Sequence, residues 1–388
     1  MTLRGTNQGF GRPYNRRIVL ESVRLHGPIA RGDIAERVGL TVQTVSTIVR
    51  ELEEQGYILS TREEPKGRGL PPTTLTINPD GGYAVGVHVT PLGIEAALIN
   101  LDGDVIASVH REAAHATPDQ GFELIGAQVS ELMRLKPGGR MLGVGMVMPG
   151  PFGVDSMSFV GPTTMNGWQD VALRERLAEV TGLPAFLGTD VAAAALGEQL
   201  YGLGAGFSDY YYLYIGVGLG GTMVHDATVL RGAWGNASEI GHVPLVPDGE
   251  ACPCGNRGCL ERYLSLEALG RSKLSEADWV ENIAPIFRNT VATIENLFDP
   301  ETIVIGGLAS AALLERLAGT VETLPNSVSA RRDRTAPRLL VARGGQHSVL
   351  RGAAALAVSG VLSPRFGQMF TGERQGVRAP LPGKGIAA

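Results

Sequence analysis

All three cysteines of this 388-residue chain fall in one stretch of eight residues, Cys252-Pro-Cys254-Gly-Asn-Arg-Gly-Cys259, and His242 lies ten residues upstream. Three thiolates and one imidazole make a complete tetrahedral donor set for zinc. Gly255 and Gly258 let the chain turn tightly around an ion. With all four ligands (His242, Cys252, Cys254 and Cys259) supplied by the protein, no position is left for a hydrolytic water, so the expected zinc is structural. A disulfide framework is excluded, because one compact trio of cysteines cannot cross-link a chain of this length. A reducing, cytoplasmic setting is the expectation.

Hydrophobic residues make up 44% and charged residues 19%, ordinary values for a globular protein long enough to hold two or three domains. No run of apolar residues is long enough to span a bilayer, so no membrane partner is expected. The opening Met1-Thr2-Leu3-Arg4-Gly5 lacks the apolar core of a secretion signal. The net charge of −5 is unevenly spread: residues 1–80 carry +2 and the rest −7. Six arginines against a single Glu21 occupy the first 31 residues. Such a basic arm fits contact with a polyanion, and equally a solvated tail.

Residues 14–26 read as a helix with an apolar stripe of Ile18, Val19, Val23 and Leu25, broken by Gly27-Pro28. A short helix over 33–38 ends at Gly39, and Thr41 is placed to cap a third helix over 42–55. That third helix carries Val42, Val45, Ile48, Val49 and Leu52 on one face, which leaves Gln43, Thr44, Thr47 and Arg50 on the other. A strand starts at Tyr57, residues 61–72 form a polar loop, and residues 73–77 return as a strand. This is the order of a winged helix-turn-helix. Gln, Thr and Arg reach base edges or phosphates in a major groove. The wing, Lys66-Gly67-Arg68-Gly69-Leu70-Pro71-Pro72, places Arg68 on a slim backbone suited to a narrow minor groove.

From Gly82 onward strands and helices alternate. Strands are expected at 85–89, 95–101, 105–109, 142–148, 184–188, 210–215 and 302–305, and helices at 119–135, 170–181, 191–202 and 280–298. The alternation predicts an α/β fold. The last stretch, 366–388, is rich in Gly, Pro and Arg and reads as a disordered tail.

Glu239-Ile-Gly-His242, followed by Cys-x-Cys-Gly-x-x-Gly-Cys-Leu-Glu261 and Ser265, resembles the signature of the ROK family (repressor, open reading frame, kinase). Gly5-Thr6-Asn7, Asn15-Arg16-Arg17 and Gly39-Leu40-Thr41 look like its repressor branch. The resemblance implies a two-lobed sugar-kinase fold, like the lobes of actin and hexokinase, preceded by the DNA-binding unit. The expected organisation is a winged helix-turn-helix at 1–80, a two-lobed sugar-binding unit at 81–365 and the tail. It also implies a sugar pocket. Thr189-Asp190 stands where the family usually has Asn-Asp, the Asp being the general base of its kinases. Glu239, His242 and Glu261 hold sugar hydroxyls, His242 serving zinc and sugar through different ring nitrogens. Thr163-Thr164, with Asn166 nearby, replace the family's Pro-Asn, so Thr164 joins the expected sugar contacts.

One departure bears on catalysis. Kinases of the family cradle phosphate on an Asp-x-Gly-Gly-Thr loop, where this chain reads His88-Val89-Thr90-Pro91-Leu92. The acid and both glycines are gone, and Pro91 has no N–H to offer. Glycine-rich segments at 216–222 and 306–307 persist as candidate loops. The expectation is a sugar-responsive regulator, a repressor acting on operator DNA as a homodimer or homotetramer, with a monosaccharide or sugar-derivative effector and no enzymatic activity. The rival readings are an ATP-dependent sugar kinase with an appended DNA-binding domain, and a repressor whose partner is a protein.

Overall fold

The computed structural model describes residues 11–62, 73–136, 138–150, 165, 167–169, 171–226, 228–233, 236–323, 325–329, 334–343 and 347–362. The Gly5-Thr6-Asn7 opening, the wing tip with Arg68, Thr163, Thr164, Asn166 and the tail lie outside these residues. Helix α1 (Gly11–His26) stops where Gly27-Pro28 cannot continue it. A two-residue strand β1 (Ile29–Ala30), a short α2 (Arg31–Val38) and α3 (Val42–Glu54) follow. Gly39 closes α2 in the left-handed region at φ 66°, donating its N–H to Ala35. Thr41 caps α3 by accepting the Thr44 N–H at 3.2 Å. Strands β2 (Ile58–Arg62) and β3 (Thr73–Ile77) form the hairpin, with β1 on the outer edge of β3.

Details of that reading change. Thr61 and Arg62 extend β2 rather than opening the loop. Leu25 and Val42 are 47% and 54% exposed, while Leu20 is buried. The helical phase is right, but both residues sit at helix ends that overrun the neighbouring packing surface.

The first lobe is a five-stranded sheet. Its elements are β4 (Gly82–Thr90), β5 (Gly93–Asn100), β6 (Val105–Glu112), α4 (Pro118–Leu135), β7 (Arg140–Met148), α5 (Leu173–Thr181), β8 (Ala185–Thr189) and α6 (Asp190–Tyr201). Strand order is β6-β5-β4-β7-β8, with β4, β7 and β8 parallel and β5 and β6 joined as antiparallel hairpins. The second lobe has β9 (Tyr210–Ile215), β10 (Leu219–His225), β11 (Thr228–Val229), α7 (Leu266–Ser272), α8 (Glu276–Phe298), β12 (Thr302–Gly307), α9 (Ala311–Gly319) and β13 (Leu339–Val341), in sheet order β11-β10-β9-β12-β13. The last helix, α10 (Ser348–Leu362), returns to the first lobe and lies on β4, β7 and α6. Its approach to the sheet is close enough that a Cβ on Gly145 would stand 1.8 Å from the Ala353 carbonyl oxygen.

The alternation expected from sequence is present, with shifted ends. Helix α5 starts at Leu173, and α8 starts at Glu276 because Ser275 caps it by accepting the Asp278 N–H. Residues 216–222, read as one glycine-rich loop, are a tight turn followed by the first half of β10. Helices α7, α9 and α10 and strands β10, β11 and β13 were not among the expected elements.

The N-terminal helical head does not hang from a linker. Ile18, Val23, Ile34, Val49, Leu52 and Leu75 belong to one buried cluster with Ile99, Leu101, Leu350 and Val358 of the first lobe. At the junction, Asn78 donates to the Gly56 carbonyl at 2.7 Å, and Arg140 of β7 donates to the Tyr57 hydroxyl at 2.9 Å. Head and first lobe thus share one apolar core. Among the described residues, no helix is long and apolar enough to cross a membrane.

Candidate functional site

A cavity of about 580 Å³ lies between the two lobes. Its walls come from the β4–β5 turn, the junction of β8 and α6, the β9–β10 turn and the segments around Glu239 and Glu261. Asp190, the first residue of α6, is buried, and its carboxylate accepts the Val191 N–H at 2.8 Å. Burial raises its pKa to about 6, the Val191 N–H opposing and the Glu239 carboxylate adding to the rise. Thr189 lines the cavity too, but its hydroxyl oxygen is committed to capping α6 through the Ala192 N–H at 3.2 Å. It keeps one O–H to donate, a poorer set than an Asn amide.

Glu239 is open to the cleft yet enclosed by protein further out. That desolvation raises its pKa, with His242 opposing and the Glu261 carboxylate adding to the rise. Glu261 accepts the Leu219 N–H at 3.0 Å, which ties the β9–β10 turn to the same wall. Asp190, Glu239, His242 and Glu261, distant in sequence, thus share one cavity. Thr164 lies outside the described residues.

The four expected metal ligands converge. The side-chain donor atoms of His242, Cys252, Cys254 and Cys259 all lie within 4.8 Å of one another. Cys252 Sγ is 3.7 Å from His242 Nδ1, and Cys254 Sγ is 3.6 Å from Cys259 Sγ. A tetrahedral ion about 2.0–2.3 Å from each ligand requires edges of roughly 3.3–3.8 Å, so the spacing fits. The thiols are unpaired by disulfides. Burial, reinforced by the other two thiols, pushes Cys259 up to about 12, so three thiolates coexist there only around a cation. Gly258 is obligatory: its φ is 73° and a Cβ would meet the Val246 carbonyl oxygen at 1.7 Å. The cluster can therefore hold a metal ion.

In the head, Gln43, Thr47 and Arg50 are exposed along α3, and Thr44 is half-buried. The Thr44 hydroxyl lies 2.8 Å from that of Thr41, and Thr47 donates to the Gln43 carbonyl at 3.1 Å. Both threonines are partly occupied by the helix itself, which leaves Gln43 and Arg50 as the principal candidates for base or phosphate contact. Arg68 lies outside the described residues. Gln43→Ala and Arg50→Ala are each expected to weaken binding to a duplex selected from random DNA by the parent, by about 1–3 kcal/mol for a base contact. Fluorescence anisotropy measures it, and parent-like affinity in both variants would displace the recognition surface from α3.

Wall components that were not among the expected contacts include His88, Arg231 and Leu308. His88 was read only as a lost acid. Nothing in the local sequence marks Arg231 or Leu308, because the second-lobe turns alone bring them to the cavity.

A family model described as the ROK family matches residues 84–279 and 267–359, and one described as winged helix-turn-helix DNA-binding matches residues 13–58. The xylose repressor of Bacillus subtilis is 24% identical over 395 residues, covering 94% of this chain and 99% of that one. The glucokinase of Halalkalibacterium halodurans is 30% identical over 272 residues, covering 59% of this chain and 81% of its own. Among solved structures, a ROK family transcriptional regulator, a homologue of the E. coli MLC protein, superposes with a TM-score of 0.74 at 23% identity. That match covers 92% of this chain and 98% of the other.

Proposed function

The chain belongs to the ROK family, and from that premise we propose that it is a sugar-responsive transcription repressor of carbohydrate metabolism, acting in the cytoplasm as a homodimer or homotetramer. A monosaccharide occupies the interlobe cavity, held by Asp190, Glu239, His242 and Glu261, with Thr189 and Thr164 at its edge. A structural zinc ion, held by His242, Cys252, Cys254 and Cys259, fixes the wall that carries Glu239 and Glu261. The chain does not phosphorylate its sugar, because the turn after His88 has none of the groups that hold a phosphoryl donor.

The observation that carries this reading is the placement of α6. It starts with Asp190 in the cavity and ends about 18 Å away, at the usual rise per residue, at Tyr201. There Leu200 shares a crevice with Leu20, Glu21 and Arg24 of α1, and Arg24 is paired to Glu21 at 2.7 Å. A ligand that pulls on Asp190 therefore acts on a rigid element whose far end abuts the DNA-binding head. Binding that favours one placement of α6 shifts the population of head arrangements and so changes DNA affinity. The test is anisotropy titration of the selected duplex with and without D-xylose, D-glucose, D-mannose and N-acetyl-D-glucosamine. One of them is expected to change DNA affinity by about 5- to 150-fold. DNA affinity indifferent to all four refutes the reading.

A further inference from the structure

The turn that replaces the phosphate loop is closed on itself. Thr90 Oγ1 accepts the N–H groups of both Leu92 and Gly93, each at 3.2 Å, and Pro91, which precedes them, has none. The backbone donors that could cradle an anion at this end of the cavity are consumed. The cations are committed as well. Among the described wall residues, Arg262 is paired to Glu267 at 3.1 Å and lies 3.8 Å from Glu250. Arg231 has an interaction of its own, and His242 turns Nδ1 toward Cys252. Asp190, Glu239 and Glu261 meanwhile place three carboxyl groups around the same space. A phosphate dianion there meets like charge that the engaged cations of the wall do little to offset.

His88 completes the picture. It lies on β4 in the cavity wall, is 3% exposed, and its Nε2 has no hydrogen-bond partner in the protein. Burial lowers its pKa to about 4, so the ring is neutral and offers one donor and one acceptor. A buried nitrogen without a partner is destabilising unless an occupant supplies one. We propose that the cavity takes an uncharged sugar and rejects its phosphate ester, and that His88 is a specificity-determining residue that hydrogen-bonds one sugar hydroxyl. This rests on the sugar-sensing reading and extends it to the chemical class of the effector.

Calorimetric titration of the full-length protein with D-xylose, D-glucose, D-mannose and N-acetyl-D-glucosamine, each beside its monophosphate ester, tests both parts. The free sugar that binds is expected to do so more than about 100-fold tighter than its ester. An ester that binds equally or more tightly overturns the charge exclusion. His88→Leu, which keeps the volume and removes the polar atoms, is expected to weaken that sugar by about 10- to 100-fold. His88→Asn, which keeps a donor and an acceptor, should stay within a few-fold of the parent, and it decides the matter if the leucine variant does not fold: a loss of the size expected for leucine overturns the hydrogen bond. Parent-like affinity in His88→Leu overturns the role of His88. A parent that binds none of the eight compounds overturns the sugar-sensing reading itself, and this inference with it.

Discussion

Cys254→Ser is expected to strip the metal from the protein and, with it, most of the effector response. Elemental analysis of the parent should give about one zinc per chain, and the variant a small fraction of that. The size of the effect follows from linkage: binding at a structural zinc site is worth on the order of 10 kcal/mol, and that free energy counts toward folding. The segment the ion would tie down is short and carries function at both ends. Glu239 lies three residues before His242, and Glu261 two residues after Cys259. Between them the chain forms no α-helix or β-strand and closes through loop hydrogen bonds, such as Val246 N–H to the Gly258 carbonyl and Leu260 N–H to the Val243 carbonyl. Without the ion, both carboxylates lose their fixed orientation. DNA binding in the absence of sugar should change less, since the head packs on the first lobe. Zinc absent from parent protein prepared without chelators would sink the assignment. So would a serine variant that still responds to sugar like the parent.

The His/Cys cluster was legible in the sequence because its four residues lie within a single local segment, where spacing alone constrains geometry. The recognition helix was legible for a related reason: Thr41, Val45, Ile48, Val49 and Leu52 encode a cap and a stripe within one element. The interlobe cavity was not, because Asp190, Glu239 and Glu261 come from three places in the chain, and only the family resemblance linked them. Helix α10 escaped notice since it is buried nearly all round, from Val349 to Val358, and a helix without a polar face has no stripe to read. Gly220 and Gly221 gave β10 the look of a loop, yet they are buried strand residues packed against Val191 and Tyr211. The orphaned nitrogen of His88 is a tertiary property. The sequence showed an acid missing, while the neutral donor and acceptor left in its place emerged only from burial.

Asp190→Asn, Glu239→Gln and Glu261→Gln should each weaken the effector sugar by about 1.5–3 kcal/mol, because each removes a charged acceptor from sugar hydroxyls. DNA affinity without sugar should stay close to that of the parent, since none of the three touches α3. Glu261→Gln keeps a carbonyl oxygen for the Leu219 N–H, so its loss should be felt mainly in the ligand. Asp190 adds a pH signature. Burial favours its protonated form, with a pKa of about 6 in the free protein. A raised carboxyl pKa means that native stability falls as pH rises from the ordinary carboxylate range through 6, the unfolded chain being already ionised there. A sugar hydroxyl that donates to the ionised carboxylate offsets that cost. Effector affinity should therefore be flat above about pH 7 and fall toward tenfold per pH unit below 6, and Asp190→Asn should abolish the slope. The same residue is the base that a kinase would use, but a base has no work without a phosphoryl donor in line with the hydroxyl. Sugar-dependent ATP turnover by the parent at roughly 1 per second or faster would return Asp190 to catalysis and overturn the regulator reading. An effector response untouched by all three substitutions would move the sugar out of this cavity altogether.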